Sequence, residues 1–366
     1  MKMKNHFLLH VTFLVTFTSV AQLEELTPSE IAYRDSISAL NIKNEATAQS
    51  QEFYNKGIQL FGEKKIKESI DQFSKSVSLD PNFTAAYYNK GVAENEDGNF
   101  KDASKTLDKL IEIDPNYSKA YFQRARALQG SNDYLRAEKD YEKSIQLDPK
   151  NPKAYYNYGT LKFLQIDYPE AIKHFTKAIE LDPNFAFAYN DRGSCHRMMV
   201  NYPKAILDYE EASKKNPKLA FVINNIGTTK KKMKDYVGAM TAFNKAISID
   251  PNYATAYNNR GVSQLEQGKI EDAKKDFEKA LQLNPKYAAA SDNLSAIFFK
   301  QKDYKKAFDF ANNAITFDSL YAGAYVNRGI AKEMLRDMEG ACNDWHKAEE
   351  LGAELGKKYH SENCNN

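Results

Sequence analysis

The sequence predicts an all-α fold, an α-α superhelix built as a solenoid of nine 34-residue helix-turn-helix repeats. Three observations predict it. Pro81, Pro115, Pro149, Pro183, Pro217, Pro251 and Pro285 are each 34 residues apart, and Ser319 takes the next place in the series. Apolar residues between them recur three and four apart, the period of a helix face. Two places inside each repeat are held to small residues, as a crossing of two packed helices requires.

The elements follow in chain order. Residues 1–21 carry a basic head (Lys2, Lys4), an apolar run from Phe7 to Val20 and the small residues Ser19-Val20-Ala21. That is the pattern of a cleaved export signal. The run is shorter than the roughly 20 residues that span a bilayer. Export, to the periplasm, the cell surface or the medium, is expected, with no integral span after cleavage. Loss of Lys2 and Lys4 leaves net charge near zero, which gives no pull toward nucleic acid or anionic membrane.

Residues 22–49 stand outside the repeating pattern. Thr27-Pro28-Ser29-Glu30 reads as a helix start leading into Ile31 to Leu40. A short helix is expected there, followed by a polar linker over 41–50. The repeats then fill 50–355 and start at 50, 84, 118, 152, 186, 220, 254, 288 and 322, with a tail or cap over 356–366.

Within a repeat, one helix is expected over about the first 14 places and a second over about places 16 to 30. Place 8 is glycine seven times, with Ala125 and Ser295 as exceptions, and place 20 is alanine eight times, with Ser69 first. Glycine inside a helix costs about 1 kcal/mol relative to alanine, so its recurrence needs a cause. The expected cause is close approach of the two backbones, with Phe175, Phe243, Phe277 and Trp345 at place 24 filling the space beside it. The phrases ending in Asp-Pro-Asn, such as Leu181-Asp182-Pro183-Asn184, are helix stops and turns.

An aromatic at place 4, Gly at 8, Ala at 20, Phe or Tyr at 24, Ala at 27 and Pro at 32 together resemble the tetratricopeptide repeat. The likeness covers residues 50–355. The chain departs from that family at place 11, often polar here (Glu94, Lys162, Lys230, Lys332), and repeats eight and nine lack the proline. The resemblance implies a right-handed superhelix whose first helices line a concave groove that takes an extended peptide or a helix of a partner protein. No phosphate loop, nucleophile elbow or zinc-protease helix occurs, so no enzyme activity, cofactor or metal is expected.

Place 6, on the groove side by that resemblance, holds Asn55, Asn89, Gln123, Asn157, Asp191, Asn225, Asn259, Asn293 and Asn327. A carboxamide offers donor and acceptor together, so this row reads either as a ladder that pairs with a peptide backbone or as ties between successive repeats. Place 5 changes along the chain, from Tyr54, Tyr88, Phe122 and Tyr156 to Asn190, Asn224 and Asn258. Arg197, Lys230, Lys231, Lys232 and Lys234 form a basic segment that either receives acidic groups of a partner or is a solvated face.

Three cysteines remain. Cys195 beside His196 reads as a small buried thiol, because helix neighbours point apart. Cys342 and Cys364 are expected to form a disulfide if the tail folds back, against a rival reading in which Cys342-x3-His346 and His360-x3-Cys364 bind zinc. Two functions stay open. One is a scaffold for protein or peptide partners. The other is a structural or self-assembling array, a homo-oligomer or one whose N-terminal segment fills its own groove. A regulatory subunit of an envelope enzyme is a third possibility.

Overall fold

The structure is a computed structural model that describes residues 28–364; the expected signal segment therefore lies outside the described residues. It divides into two compact units, Met1–Asp97 and Gly98–Asn366. All regular structure among the described residues is helical. The first unit holds α1 (Pro28–Gly62), α2 (Ile66–Leu79) and α3 (Thr84–Glu96). The second holds α4 (Phe100–Ile113), α5 (Ser118–Gly130), α6 (Tyr134–Leu147), α7 (Pro152–Leu164), α8 (Tyr168–Leu181), α9 (Ala186–Met198) and α10 (Tyr202–Lys215). It continues with α11 (Ala220–Lys232), α12 (Tyr236–Ile249), α13 (Ala254–Glu266), α14 (Ile270–Leu283), α15 (Ala288–Lys300), α16 (Tyr304–Phe317), α17 (Ala322–Met334), α18 (Met338–Glu350) and α19 (Glu354–Asn363).

From repeat three on, each repeat is a hairpin whose first helix opens at place 1, and in every repeat the second helix opens at place 17, one place later than expected from the sequence. Place 16 is the cap. Asp235 accepts from Gly238 N at 2.8 Å and Asp337 from Gly340 N at 2.9 Å, satisfying donors that the first turn leaves open. Second helices end at an Asp or Asn whose carboxylate or amide oxygen accepts from the backbone two residues on, as Asp182 does from Asn184 N at 3.0 Å and Asp250 from Asn252 N at 2.9 Å. The regular aspartates before the prolines are thus turn residues.

The bend between helices needs a left-handed residue at place 15, where φ lies between 61° and 78° in all nine repeats. Only Gly98 and Gly268 are glycine there; Ile166 and Val200 adopt it against their own steric preference.

Close approach explains place 8. A Cβ on Gly227 would stand 2.5 Å from the Phe243 ring, and one on Gly329 would stand 2.4 Å from Trp345 Nε1. Those rings are fully buried, as are Phe73, Phe175 and Phe277. The glycine is the cost of seating a large ring at the hairpin crossing, where the ring's burial more than offsets about 1 kcal/mol of lost helix propensity.

The N-terminal segment differs from expectation. No break or linker separates 28–49 from the first repeat. Instead α1 runs unbroken for 35 residues, because 41–56 contains no glycine or proline and many helix formers (Lys43, Glu45, Ala46, Gln49). Residues 31–49 are exposed apart from half-buried Ala46. No helix among the described residues is long and apolar enough to cross a membrane.

At the other end α19 opens at Glu354, within the stretch assigned to the last repeat. Tyr359 stacks on Trp345 with ring centroids 5.3 Å apart, covering the indole that otherwise would face solvent after the last hairpin. Cys342 and Cys364 Sγ stand 2.01 Å apart with their Cα atoms at 5.6 Å.

Candidate interaction surface

Places 5 and 6 of the first helices form the site singled out from the sequence, and the structure joins them laterally. In the first unit Asn89 Nδ2 donates to Tyr54 Oη at 3.1 Å. In the second, Asn225 Nδ2 donates to Asn190 Oδ1, Asn259 Nδ2 to Asn224 Oδ1 and Asn293 Nδ2 to Asn258 Oδ1, each at 3.0 Å, and Asn327 Nδ2 donates to Asp292 Oδ1 at 2.7 Å. The Tyr156 hydroxyl donates to Asp191 Oδ2 at 2.7 Å, the same joint with its polarity reversed. Each bond links a place-6 group to place 5 of the repeat before it, 35 residues back. The amides tie repeats together.

Two places depart from this for a physical cause. Phe122 offers no acceptor, so Asn157 turns back to its own helix and donates to Lys153 O at 2.8 Å. Asn55 has no preceding repeat; it is exposed and accepts from Gln51 Nε2 at 2.9 Å.

The direction of the chain of amides is set by carboxylates, which can only accept. Asn190 Nδ2 donates to Asp191 Oδ1 at 2.9 Å, which turns its oxygen toward Asn225. Burial pushes the Asp191 carboxyl up, against the bonds from Tyr156 and Asn190. Burial likewise raises Asp292 to about 6, with the Asn327 bond pulling it back.

Place 5 is not a lining. Asn190, Asn224, Asn258 and Asp292 are buried between repeats. Phe122, expected in the groove, is buried too, and Tyr156 packs on Phe185 and Phe175 with centroids 4.7 and 5.7 Å away. Tyr54 lies on Phe83 at 4.9 Å; Tyr88 is half-buried. Phe122 belongs to the core and the three tyrosines are half-buried, because period 34 alone does not tell a groove-facing place from one turned toward the next hairpin. The basic segment is part-compensated. Arg197 Nε donates to Tyr209 Oη at 3.3 Å, and Lys231 Nζ stands 3.7 Å from Glu266.

A second set of joints escaped the sequence reading. Arg124, Arg192, Arg260 and Arg328 occupy place 7 in repeats three, five, seven and nine, 68 residues apart. Each makes a two-pronged bond to an aspartate 16 residues on: Arg260 Nε to Asp276 Oδ2 at 2.7 Å and Nη2 to Oδ1 at 2.6 Å, with the same pattern to Asp140, Asp208 and Asp344. Each reaches back with Nη1 to the preceding repeat, at Asp108, Thr176, Asn244 and Asn312. Each also covers a place-4 tyrosine, as Arg260 does Tyr257 with its guanidinium carbon 5.4 Å from the ring centre.

Repeats four, six and eight replace this with apolar or aromatic pairs. Tyr158 stacks on His174 at 4.0 Å, and Leu294 is buried beside half-buried Phe310. In repeat six Ile226 meets Ala242, and the small residues leave a recess of about 280 Å³ rimmed by Lys214, Lys230 and Lys245.

With this geometry in hand, sequence comparison is decisive. Family models described as tetratricopeptide repeat match residues 84–117, 122–184, 165–220 and 254–287, and one described as TPR repeat matches 229–268. Together they cover a little over half of the chain. It is a tetratricopeptide repeat protein. No curated protein matches its sequence.

Among solved structures, this tetratricopeptide repeat protein resembles one from Parabacteroides merdae at 19% identity and TM-score 0.55, over 67% of this chain and 97% of that one. The C-terminal part of a TPR repeat-containing protein from Cytophaga hutchinsonii matches at 20% identity and TM-score 0.50, over 66% and 98%. The APC/C hetero-tetramer Cut9-Hcn1 matches at 16% and 0.53, over 75% of this chain and 54%, about half, of that chain. At these identities the likeness is one of fold.

No enzyme family is among the matches, and the fold is that of an interaction scaffold. The one free cysteine among the described residues, Cys195, is buried, and burial pushes its thiol up to about 12. That disfavours the thiolate a nucleophile needs.

Proposed function

We propose that this tetratricopeptide repeat protein is an exported scaffold that holds an extended segment of a partner protein on the face of its first helices. The observation that carries the reading is the state of the place-6 amides. Asn225, Asn259 and Asn293 each spend an N–H on the repeat before them, stay half-buried rather than buried, and have no partner for the side-chain oxygen among the described residues. A lateral bond of this kind fixes the rotamer in advance, so a peptide N–H meets an acceptor that loses little entropy on binding. Main-chain recognition by a row of acceptors is indifferent to side chains, which leaves selectivity to neighbours such as Arg197 and Lys231.

The apolar run of residues 1–21 supports cleavage after Ala21 and passage to an oxidising compartment, where a Cys342–Cys364 bond is stable. A homo-oligomer is the second reading, favoured by Ile31, Tyr33, Ile37, Leu40 and Ile42, which are exposed on α1. Capture of partners from envelope extract by the mature chain, beside the N225A/N259A/N293A variant, tests the scaffold. Circular dichroism must show the variant folded, and recovery of partners should fall severalfold. Equal recovery would remove the ladder, and capture of the chain's own copies alone would favour the oligomer.

A further inference from the structure

We propose that His346, His360 and Glu349 form a binding site for a divalent transition-metal ion, of which Zn²⁺ is the type, at the C-terminal end of the last repeat. His346 and Glu349 lie three apart on α18, and so share a face. His360 comes from α19. One ligand-capable atom of each lies within 4.8 Å of the other two. The imidazoles face each other with centroids 4.8 Å apart and planes at 45°, and His360 Nδ1 stands 2.9 Å from Glu349 Oε2. Glu350 Oε1, 3.4 Å from His346 Nε2, is a further oxygen at hand.

The donor set selects the ion. Two imidazoles and a carboxylate suit zinc and its neighbours and are poor for magnesium or calcium, which take oxygen alone. Nitrogen and oxygen atoms on a tetrahedral zinc sit roughly 3.3 Å apart, so the widest of the three separations must close by about 1.5 Å. The His346 side chain, 56% exposed, has room to do so. Three protein ligands leave a coordination place for water or for a donor from a bound partner.

The covalent frame explains why these side chains meet. Cys342 precedes His346 by one helical turn on α18, and Cys364 follows His360 by one turn. The Cys342–Cys364 bond therefore sits one turn from the imidazole pair and sets the register of α19 on α18. Zinc spacings in the sequence pointed at two cysteines and two histidines. With the sulfurs bonded to each other, the two histidines remain and Glu349 replaces the thiolates. Metal and disulfide then act together: oxidation positions the imidazoles, and the ion clamps α19 a second time.

The test is Zn²⁺ titration of the untagged, oxidised full chain against a chromophoric chelator. One ion per chain is expected. His346→Ala and His360→Ala should each weaken binding at least about ten-fold, since even loss of an outer partner of a ligand costs that much. Cys342→Ser/Cys364→Ser should weaken it as well, with circular dichroism showing the array intact. No binding at a large excess of metal, or affinity unchanged in both histidine variants, would overturn the site. Tighter binding after reduction would overturn it too, because the thiols would then be the ligands.

Discussion

The odd and even repeats of the second unit solve the same packing problem in opposite ways. At places 7 and 23 the odd ones set a guanidinium in a carboxylate, with Arg260 and Asp276 at 21% and 7% side-chain exposure. The even ones set Tyr158 on His174, Ile226 on Ala242 and Leu294 on Phe310. Because each arginine also reaches the repeat before it, the ion pairs stitch repeats two to three, four to five, six to seven and eight to nine. The junctions between those pairs lack the guanidinium: at repeats three and four Tyr158 and Lys162 bond Glu138 instead, and at five to six and seven to eight the amide bonds cross. The working unit is thus 68 residues long, and a linear array whose nearest-neighbour couplings alternate should open first at the weaker joints.

Removing one partner of an ion pair is the harshest way to break this pattern. Asp276→Ala strands Arg260 in a place largely closed to water, and we expect a loss of about 3 to 5 kcal/mol in urea unfolding. Arg260→Leu with Asp276→Phe, which copies the Leu294 and Phe310 pair of repeat eight, should recover most of that loss. A buried ion pair is worth little more than a well-packed apolar one. If the double variant is as unstable as the single, the two kinds of joint are not interchangeable and the alternation is not a choice between equivalents.

His174 sharpens the contrast by adding pH. It holds the place that aspartate takes in odd repeats, and burial pushes it down to about 4, offset in part by Glu170 and Glu138 and aided by Lys173 and Lys162. Since the folded value lies below the ordinary 6.5, the neutral ring favours the fold. That contribution is whole above pH 6.5 and is lost as pH falls toward 4, by up to about 3 kcal/mol. In His174→Phe this part of the pH dependence should vanish. Carboxylates such as Asp292, whose raised value gives the opposite sign, are common to both chains and cancel in the difference. Parallel stability curves from pH 7 to pH 4.5 would show that His174 is not desolvated.

How much of this was legible follows from what period 34 can carry. The proline series, Gly227 and Phe243, and the Asp182 turn were readable because every repeat needs them, so they recur at one spacing. Arg260 and Asp276 recur at 68 and vanish into the noise of a 34-residue comparison, although their identical spacing to Arg192 and Asp208 was there to be found. Place 15 was invisible for another reason: a left-handed bend filled by Ile166, Val200 or Lys234 carries no glycine to announce it. The direction of a side chain is the hardest case. Asn224 and Asn225 are neighbours of the same type, yet one is buried between hairpins and the other half-open, a difference fixed by helix rotation rather than by residue chemistry.

That last pair sets the finest test of the amide joints, which unlike the ion pairs recur through both odd and even repeats of the second half. Asn259→Ala removes the donor that satisfies Asn224 Oδ1, leaving a buried acceptor open, and should cost about 1 kcal/mol. Asn157→Ala removes only a bond to its own helix at Lys153 O, and alanine is the better helix former, so stability should stay level or rise by a few tenths of a kcal/mol. Both changes delete the same amide from the same place in the repeat. A difference between them measures the lateral bond alone, freed from the helix propensity that both share. Equal effects would mean that the joints in the second half hold through the Arg and apolar contacts, and that the amides stand free for a ligand.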